Sequence, residues 1–454
     1  MLFFCEKIKV MIVMKFGGTS VGSSDSIQKV RDIITSEERE KVVVLSAFSG
    51  VTNLLVKINQ QYEAGNENIL QTLQDLEARC LEVVNPLFHS ATYLQTARNF
   101  ISLKIQEINS YIKHPFEVLT TKKIIAQGEA ISTNIFQLFL QENSVQSSLI
   151  SALDFMVLDR LGEPDLELIA HNLTPIFKEH GRSLLITQGF ICNDHQGKIT
   201  NLDRGGSDYT ASLIGAAVAA EEIQIWTDID GMHNNDPRYV ENTFSVEEVS
   251  FDEAAELAYF GAKILHPQSL IPAKNKSIPV LLKNTFNAQQ KGTIIKNSTV
   301  NEGVTSIAAK DGIIAIKIKS YRMLLAYGFL KKVFEVFETY KTPIDMITTS
   351  EVAVSLTVDN DEYLTEIVED LQEFGSVEVD QDLSIVCVAG DFSQNKEGVS
   401  AQVFTALKHI PIRMISYGGS NYNTSLLVKT SDKIEALNSL NDHLFLKQPS
   451  SNLV

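Results

Sequence analysis

Short apolar runs rich in β-branched residues alternate with amphipathic stretches through the first two-thirds of the 454-residue chain. The runs predict strands and the stretches between them predict helices. The predicted strands are Val10–Phe16, Lys41–Ser46, Gln146–Ser151, Ser183–Thr187, Glu222–Thr227 and Pro279–Lys283. The clearest predicted helices are Ser26–Thr35, Asn68–Val84, Ala97–Tyr111 and Thr121–Gln141. The alternation indicates a mostly parallel α/β sheet, whose ligands are expected beyond the carboxyl ends of the strands.

The pattern changes after Lys283, where the polar stretch Asn284–Asn301 is interpreted as a domain boundary. Two similar segments follow, each with the order helix, strand, turn, strand. One carries Pro343-Ile-Asp-Met-Ile and Ser355-Leu-Thr-Val, and the other carries Pro411-Ile-Arg-Met-Ile and Ser425-Leu-Leu-Val. The shared order favours duplication of one α+β unit over chance similarity of amphipathic segments.

Composition narrows the class of protein. Hydrophobic residues make up 44% of the chain and charged residues 21%, which is typical of a folded globular protein. The formal net charge of −17 argues against a nucleic-acid or anionic-membrane binder. No apolar run is long enough to predict a membrane span. The four cysteines are widely spaced, which favours reduced thiols over a disulfide or zinc framework.

Two glycine-rich strings are the strongest candidates for phosphate chemistry. Lys15-Phe-Gly-Gly-Thr-Ser-Val-Gly lies between a predicted strand and a predicted helix, where glycines allow a phosphate to approach the backbone. Asp203-Arg-Gly-Gly-Ser-Asp opens the predicted helix Tyr209–Ala220, with Ser207 as the expected N-cap. Asp208 suits three roles, which are to orient Lys15, to screen its charge or to bind Mg²⁺ through water. Arg204 offers a fork for a carboxylate. A structural turn and a capped helix explain each string alone equally well.

Further strings have a plain structural interpretation beside a functional one. The loop Trp226–Arg238 suits a nucleotide or a solvated connector, and Lys263 in Phe260–Pro267 suits a phosphate or a helix C-terminus. His266 is interpreted as structural. The stretch 46–53 supplies hydroxyl and N–H groups after a strand. Glu129 interrupts an apolar helix, where it either is solvated or holds an ammonium group.

Together these strings resemble the aspartate kinases of the amino acid kinase family. KFGGTSVG, SAFSGVTNLL, QGEAIST, TQGFI, RGGSDYTA, WTDIDGM, DPR and FGAKILHP follow in the order seen in that family, from about Val13 onward. The resemblance implies an amino acid kinase fold, a mostly parallel sheet sandwiched by helices, followed by two ferredoxin-like ACT domains. The implied domains are residues 1–300, 301–390 and 391–454, and the ACT domains are expected to be intertwined and to share the strand near 305–318.

The resemblance also implies roles for individual residues. The implied catalytic residues are Lys15, Arg204 and Asp208. The implied ATP-binding residues are Lys15, Gly17, Gly18, Thr227, Asp228, His233, Arg238, Lys263 and Ile264. The implied aspartate-binding residues are Ala47, Thr52, Glu129, Phe190, Arg204, Ser207 and Asp208, with Glu129 on the α-ammonium group and Arg204 on a carboxylate. The implied effector-binding residues are Met323, Gly328, Leu330, Ile344, Asp345, Thr349, Ser350 and Glu351.

The implied reaction converts ATP and L-aspartate to ADP and 4-phospho-L-aspartate, the first step of lysine, threonine and methionine biosynthesis. Mg²⁺ is expected with ATP, without a dedicated protein cage for the metal. L-lysine is the expected feedback effector, and a homodimer or dimer of dimers is expected to form through the ACT domains. No nucleic-acid or membrane partner is expected, and the expected compartment is the cytoplasm.

Two alternatives stay open. One is a kinase of the same fold acting on glutamate, acetylglutamate, carbamate or a nucleoside monophosphate. Such a kinase would be expected to lack the long ACT tail and the SAFSGVTNLL string, both present here. The other is a catalytically silent amino-acid sensor built on the kinase scaffold. Loss of Lys15, Glu129 or Asp208 would favour the sensor, and all three residues are present.

Overall fold

A computed structural model describes residues 11–180, 184–202, 205–260, 265–298, 303–323, 327–392 and 397–446. Its strands are β1 (Met11–Phe16), β2 (Glu40–Leu45), β3 (Ser147–Leu149), β4 (Leu184–Gln188), β5 (Ile191–Asn193), β6 (Ile199–Asn201), β7 (Glu222–Thr227), β8 (Glu248–Ser250), β9 (Val280–Asn284), β10 (Thr293–Lys296), β11 (Val304–Lys319), β12 (Ile347–Thr349), β13 (Ala353–Val358), β14 (Ser376–Gly390), β15 (Met414–Tyr417) and β16 (Asn423–Lys429).

Its helices are α1 (Ser24–Ser36), α2 (Val51–Glu63), α3 (Ile69–Val84), α4 (Ala91–Tyr111), α5 (Val118–Glu142), α6 (Leu166–His180), α7 (Gly206–Val218), α8 (Phe251–Tyr259), α9 (Pro267–Lys276), α10 (Phe329–Thr339), α11 (Leu364–Gln372), α12 (Val399–Ala406) and α13 (Lys433–Asn441). Within the described ranges, no helix is long and apolar enough to cross a membrane.

The described residues fall into two compact units. The first lies within Met1–Met232 and Leu265–Ser298, and the second lies within His233–Ile264 and Thr299–Val454. This division differs from the predicted boundary at residue 300, because the described residues 233–260 group with the second unit. The stretch Asn284–Asn301, interpreted as a domain boundary, also contains strand β10, which pairs antiparallel with β9.

The first unit is built on a mostly parallel sheet with the strand order β3-β4-β2-β1-β7-β9-β10. The first six of these strands are mutually parallel, as the alternating pattern predicted. Both faces of the central strands are buried. Ile12, Met14 and Phe16 point into a large core shared with helices α1–α5, whereas α7 contacts β1 and β2. Burial on both faces explains why these strands appear in the sequence as continuous apolar runs.

The second unit contains a six-stranded antiparallel sheet with the order β12-β13-β11-β14-β16-β15. Two apolar cores lie along it. Ile307 at the start of β11 belongs to the core that contains α12 and α13, and Ile316 near its end belongs to the core that contains α10 and α11. A register shift between the two long strands near Gly312, where φ is +77°, separates the two halves. Both β11 and β14 therefore serve two ferredoxin-like halves, whereas the sequence indicated only one shared strand.

The internal repeat corresponds to these two halves. The first copy contains α10, β12 and β13, and the second contains α12, β15 and β16, in the predicted order of helix, strand, turn and strand. Val333 of the first helix and Val403 of the second occupy equivalent places in the two cores and are fully buried. The sequence similarity is therefore a similarity of core positions.

Candidate active site

Four loops meet at the carboxyl end of the central sheet. Strands β4, β2, β1 and β7 are parallel neighbours, so the residues that follow them lie side by side. Backbone hydrogen bonds join the loops: Gly17 N–H donates to Trp226 O over 3.1 Å, and Gly189 N–H donates to Leu45 O over 2.9 Å. The predicted site residues Gly17, Gly18, Ala47, Phe190 and Asp228 follow these strands, and Thr227 is the last residue of β7.

Lys15 and Asp208 form an ion pair at this end of the sheet. The Lys15 Nζ atom lies 2.7 Å from Asp208 Oδ1, and the two side chains are 12% and 16% exposed. The two charged atoms are in close contact, but their geometry is not that of a hydrogen bond. Asp208 lies in the first turn of α7, where a negative charge is favoured by the helix dipole. The structure thus pairs a nearly buried ammonium group with the carboxylate that the sequence singled out.

The glycines after β1 allow the loop to lie directly on the loop after β2. A Cβ atom on Gly18 would lie 3.0 Å from Ala47 O, and one on Gly22 would lie 2.9 Å from Gly18 O. Ser49 N–H donates to Gly18 O over 3.1 Å, which fixes the two loops together. Glycine is required here by close approach of backbone to backbone.

Ser207 was predicted to be the N-cap of the helix, and this was wrong. The N-cap is Gly205, with φ +73°, so the cap lies two residues earlier than expected and Ser207 lies in the first turn of the helix. The Ser207 hydroxyl group lies 3.0 Å from Ser46 Oγ. A Cβ atom on Gly189 would lie 2.3 Å from Ser207 Oγ, so only glycine fits after β4. Ser46 and Gly189 were not assigned roles from sequence, although both lie in the strings that carried the resemblance.

Glu129 lies within α5 and is 4% exposed, so it is not a solvated residue. Its Oε1 atom accepts a hydrogen bond from Ala47 N–H over 3.3 Å. A Cβ atom on Gly128 would lie 2.9 Å from Ala47 Cβ, so this glycine lets α5 approach the loop after β2. Burial raises the pKa of the Glu129 carboxyl group from 4.5 to about 8. The arrangement favours a partner that brings a positive charge.

Phe190 has a backbone conformation that L-residues rarely adopt, with φ +68°. Its N–H donates to Thr210 Oγ1 over 2.8 Å, and its carbonyl oxygen accepts from Leu202 N–H. Such strain persists only where surrounding contacts hold it, and it is common at binding sites. Thr210, which was not assigned from sequence, is the buried side chain that stabilises this conformation.

Among the described residues, the remaining predicted site residues make no hydrogen bond or ion pair with the Lys15–Asp208 pair or with Glu129. Thr52 is exposed in the first turn of α2, and Thr227 Oγ1 donates to Asp228 Oδ1 over 3.1 Å. His233 and Arg238 belong to the second unit, where the Arg238 guanidinium group lies 2.6 Å from Asp236 Oδ2. The predicted residues Arg204, Lys263 and Ile264 lie outside the described residues.

The predicted effector residues lie in the first ferredoxin-like half. Met323 and Ile344 pack against its core, Gly328 is the N-cap of α10, and Leu330 is partly exposed on that helix. Thr349, Ser350 and Glu351 are exposed at the turn between β12 and β13.

Asp345 is the charged member of this set, and its side chain is 2% exposed. Its Oδ1 atom accepts from Tyr259 Oη over 2.7 Å and lies 3.0 Å from Lys310 Nζ. Its Oδ2 atom is buried and makes no hydrogen bond to any described residue.

Comparison with known proteins agrees with this geometry. Residues 10–284 match the amino acid kinase family, and residues 386–444 match an ACT domain. The chain is 35% identical to lysine-sensitive aspartokinase 3 of Escherichia coli (strain K12), over 96% of this chain and 99% of that protein. The structure of E. coli aspartokinase III with aspartate and ADP (R-state) matches 96% of this chain and 100% of its own, with a TM-score of 0.84 and 32% identity. The form of the same enzyme with lysine and aspartate (T-state) matches 96% and 99%, with a TM-score of 0.82 and 34% identity.

The chain therefore belongs to the amino acid kinase family, and it is an enzyme that transfers a phosphoryl group. Its ACT region and its full-length similarity place it, within that family, among the aspartokinases. The predicted fold class, an amino acid kinase fold followed by ferredoxin-like ACT domains, is confirmed.

Proposed function

We propose that this chain transfers the γ-phosphoryl group of ATP to the side-chain carboxylate of L-aspartate, releasing ADP and 4-phospho-L-aspartate. The observation that carries the proposal is the Lys15–Asp208 ion pair, which lies beside Gly17 and Gly18 where the central strands end. A lysine ammonium group held by a carboxylate is a fixed positive charge for a transferring phosphoryl group. The reaction is the first step in making lysine, threonine and methionine.

The chemistry requires no covalent enzyme intermediate. One oxygen of the aspartate side chain attacks the γ-phosphorus atom, a new P–O bond forms, and the bond to the bridging oxygen of ADP breaks with its electron pair. Positioning and charge neutralisation supply most of the catalysis in such a transfer. Lys15 would meet the charge that develops on the phosphoryl oxygens, while Asp208 keeps the ammonium group in place.

The substrate amino acid would be held by groups around the loop after β2. The buried Glu129 carboxylate would bind the α-ammonium group, since a buried carboxylate is stabilised by a paired cation. Ala47, Phe190 and Ser207 line the same strand ends. Thr52 and Arg204 complete the proposed aspartate set, with Arg204 on a carboxylate.

The nucleotide would take the other side of the lysine. Gly17 and Gly18 would approach the phosphates, and Thr227, Asp228, His233, Arg238, Lys263 and Ile264 complete the proposed set. The residues present fit Mg²⁺ carried by the nucleotide. No group of three or more metal-binding side chains occurs among the described residues, while Asp208 offers one carboxylate beside the phosphate position. Mg²⁺ commonly binds through one or two carboxylates and the substrate phosphates.

Regulation by L-lysine is proposed for the first ferredoxin-like half. Asp345 supports it, because a buried carboxylate with an unused oxygen suits the ammonium group of an amino acid. The other members of the proposed effector set are Met323, Gly328, Leu330, Ile344, Thr349, Ser350 and Glu351. We also propose a cytoplasmic enzyme that assembles as a homodimer or a dimer of dimers through its ACT domains, which light scattering on the purified chain would test.

An ADP-release assay with L-aspartate, with L-glutamate and without an acceptor tests the proposal. ADP release that depends on L-aspartate is expected. Lys15→Ala should lower kcat by at least about a hundredfold, since a charge contact made in the transition state is lost. Lys57→Ala, which removes an exposed lysine of α2, is the matched control. Equal ADP release without aspartate, or normal turnover of the Lys15 variant, would contradict the proposal.

A further inference from the structure

A polar loop in the second unit is hydrogen-bonded to strand β11 and helix α13 of the ACT region. Residues 233–242, here called the 233–242 loop, include the proposed nucleotide residues His233 and Arg238. Ser306 Oγ donates to His233 O over 2.6 Å, and Ile307 N–H donates to Asn234 O over 2.8 Å. The first two residues of the loop are therefore hydrogen-bonded to the long strand β11.

The side chain of Asn441, the last residue of α13, also forms hydrogen bonds with the loop. Its side chain is 0% exposed. Its Oδ1 atom accepts from Asn234 Nδ2 over 3.0 Å and from Asn235 Nδ2 over 3.5 Å, and its Nδ2 atom donates to Asn242 O over 3.4 Å. One buried amide thus reaches both ends of the loop.

The helix supports the loop at further points. Asn235 Nδ2 donates to Leu437 O over 3.0 Å, and Asn438 Nδ2 donates to Tyr239 O over 3.2 Å. Immediately after Asn441 the helix continues as a π-helical turn, Asp442–Leu446. Such turns are uncommon in proteins, and those that occur often lie near functional sites.

The contacts of Asn441 extend to Arg238 through a short sequence of bonds. Asn235 Oδ1 accepts from Asp236 N–H over 2.9 Å, so the amide that Asn441 fixes also fixes the start of the turn. The Asp236 carboxylate in turn accepts hydrogen bonds from the backbone N–H and from the guanidinium group of Arg238, the N–H and Nε bonds each spanning 2.9 Å. Asn235 is 2% exposed, so it cannot exchange these partners for water without leaving the core.

We propose that Asn441 is a positioning residue for nucleotide binding, which acts through Asn235 and Asp236 on Arg238. This inference rests on the proposed function, because it takes Arg238 to contact the nucleotide. Asn441 itself touches no substrate. The second ferredoxin-like half then has a part in the kinase reaction as well as in sensing, since its last described helix determines the conformation of a nucleotide loop.

The test compares Asn441→Leu with Asn441→Asp in the full chain. Leucine removes both the acceptor and the donor, whereas aspartate keeps the acceptor for Asn234 and Asn235. Leu440→Ala is the matched control, because it weakens the packing of the same helix without touching the asparagines. The readouts are the dissociation constant for MgADP by calorimetry, the two KM values, kcat and the melting temperature.

Asn441→Leu should raise the dissociation constant for MgADP and the KM for ATP by about tenfold, the effect of one lost buried hydrogen-bond network. The KM for aspartate and kcat should stay within about twofold. Asn441→Asp should keep nucleotide affinity within about threefold. Leu440→Ala should lower the melting temperature and leave the ratio of the two KM values unchanged.

Unchanged MgADP affinity in a folded Asn441→Leu variant would overturn the inference, and so would an equal loss of affinity in Leu440→Ala. Arg238→Ala separates this result from the proposed function. If wild-type enzyme phosphorylates aspartate while Arg238→Ala binds MgADP normally, the role of the loop fails and the kinase assignment stands. If wild-type enzyme releases no ADP with aspartate, the assignment fails, whereas the calorimetric comparison is still interpretable.

Discussion

The buried carboxyl group of Glu129 should affect both aspartate binding and stability as the pH changes, and the two effects can be measured separately. Burial raises its pKa from 4.5 to about 8, so the free enzyme carries the carboxylate in only about one tenth of molecules at pH 7. The ionised form is the one that would bind the α-ammonium group of aspartate. Binding must therefore release a proton at neutral pH, and apparent affinity is reduced by the fraction of enzyme in the wrong form.

The expected size of the effect follows from this ionised fraction. Between about pH 6.5 and about pH 8.5 the ionised fraction of a group with a pKa of about 8 rises roughly twentyfold. The dissociation constant for aspartate should fall by about the same factor over that range. Glu129→Gln keeps an oxygen for the Ala47 N–H group but has no charge. Its aspartate affinity should be about a hundredfold weaker at pH 8.5, since a charge-assisted hydrogen bond contributes about 2–3 kcal/mol, and it should not change with pH.

The same group predicts a stability effect with a definite sign. The folded state binds the Glu129 proton more tightly than the unfolded state. That contribution to stability is complete below pH 4.5 and is lost as the pH rises to about 8. The loss is on the order of 5 kcal/mol. The free energy of unfolding of Glu129→Gln, relative to wild type, should therefore increase by roughly 3 kcal/mol between about pH 6 and about pH 8.5.

Calorimetric titration with aspartate and urea unfolding at three pH values measure both effects. Glu67→Gln, at an exposed position in the turn before α3, is the matched control and should follow wild type. Parallel pH profiles for wild type and Glu129→Gln would refute the reasoning. If only the stability profiles differ, the carboxyl group is buried as described but does not hold the substrate.

Two further predictions concern other parts of the chain. Gly189→Ala should lower the free energy of unfolding by about 1–3 kcal/mol in urea titrations and weaken aspartate binding, because the new methyl group would lie 2.3 Å from Ser207 Oγ. An unchanged urea midpoint would contradict this prediction. Asp345→Asn should raise the lysine concentration for half-inhibition by at least about tenfold in the ADP-release assay, because the buried carboxylate proposed to bind the ammonium group of the effector loses its charge. Asp361→Asn, at an exposed position of the same half, should keep the wild-type lysine response, and an equal change in both variants would contradict the role of Asp345.

The central sheet was predictable because burial on both faces leaves a strong local signal. The predicted strands Lys41–Ser46 and Glu222–Thr227 correspond to β2 and β7 within one residue at each end. Apart from Gln224, their interior residues are apolar whichever face they point to, so no tertiary information is needed. Short strands such as β5 and β6 were missed, since three residues give no periodic pattern.

The site was only partly predictable, because burial of a polar residue depends on what packs over it. The sequence left Glu129 either solvated or holding an ammonium group. The structure decides against the first alternative, since Gly128 allows α5 to approach Ala47 and water is excluded. The start of α7 was misplaced for a related reason. Gly205 takes a left-handed conformation, which moved Ser207 from the cap into a contact with Ser46.

The burial of polar residues in the 233–242 loop depends on a residue that is distant in sequence. The segment Trp226–Arg238 suited either a nucleotide or a solvated connector, and the asparagines of a solvated connector need no particular partner. Asn234 and Asn235 are nevertheless 0% and 2% exposed, and a buried amide without partners would cost several kcal/mol. Their main partner, Asn441, is more than 200 positions away in sequence. Because removing α13 would leave the Nδ2 groups of both amides without these partners, the loop is expected to take this conformation only in a chain that includes the second ferredoxin-like half.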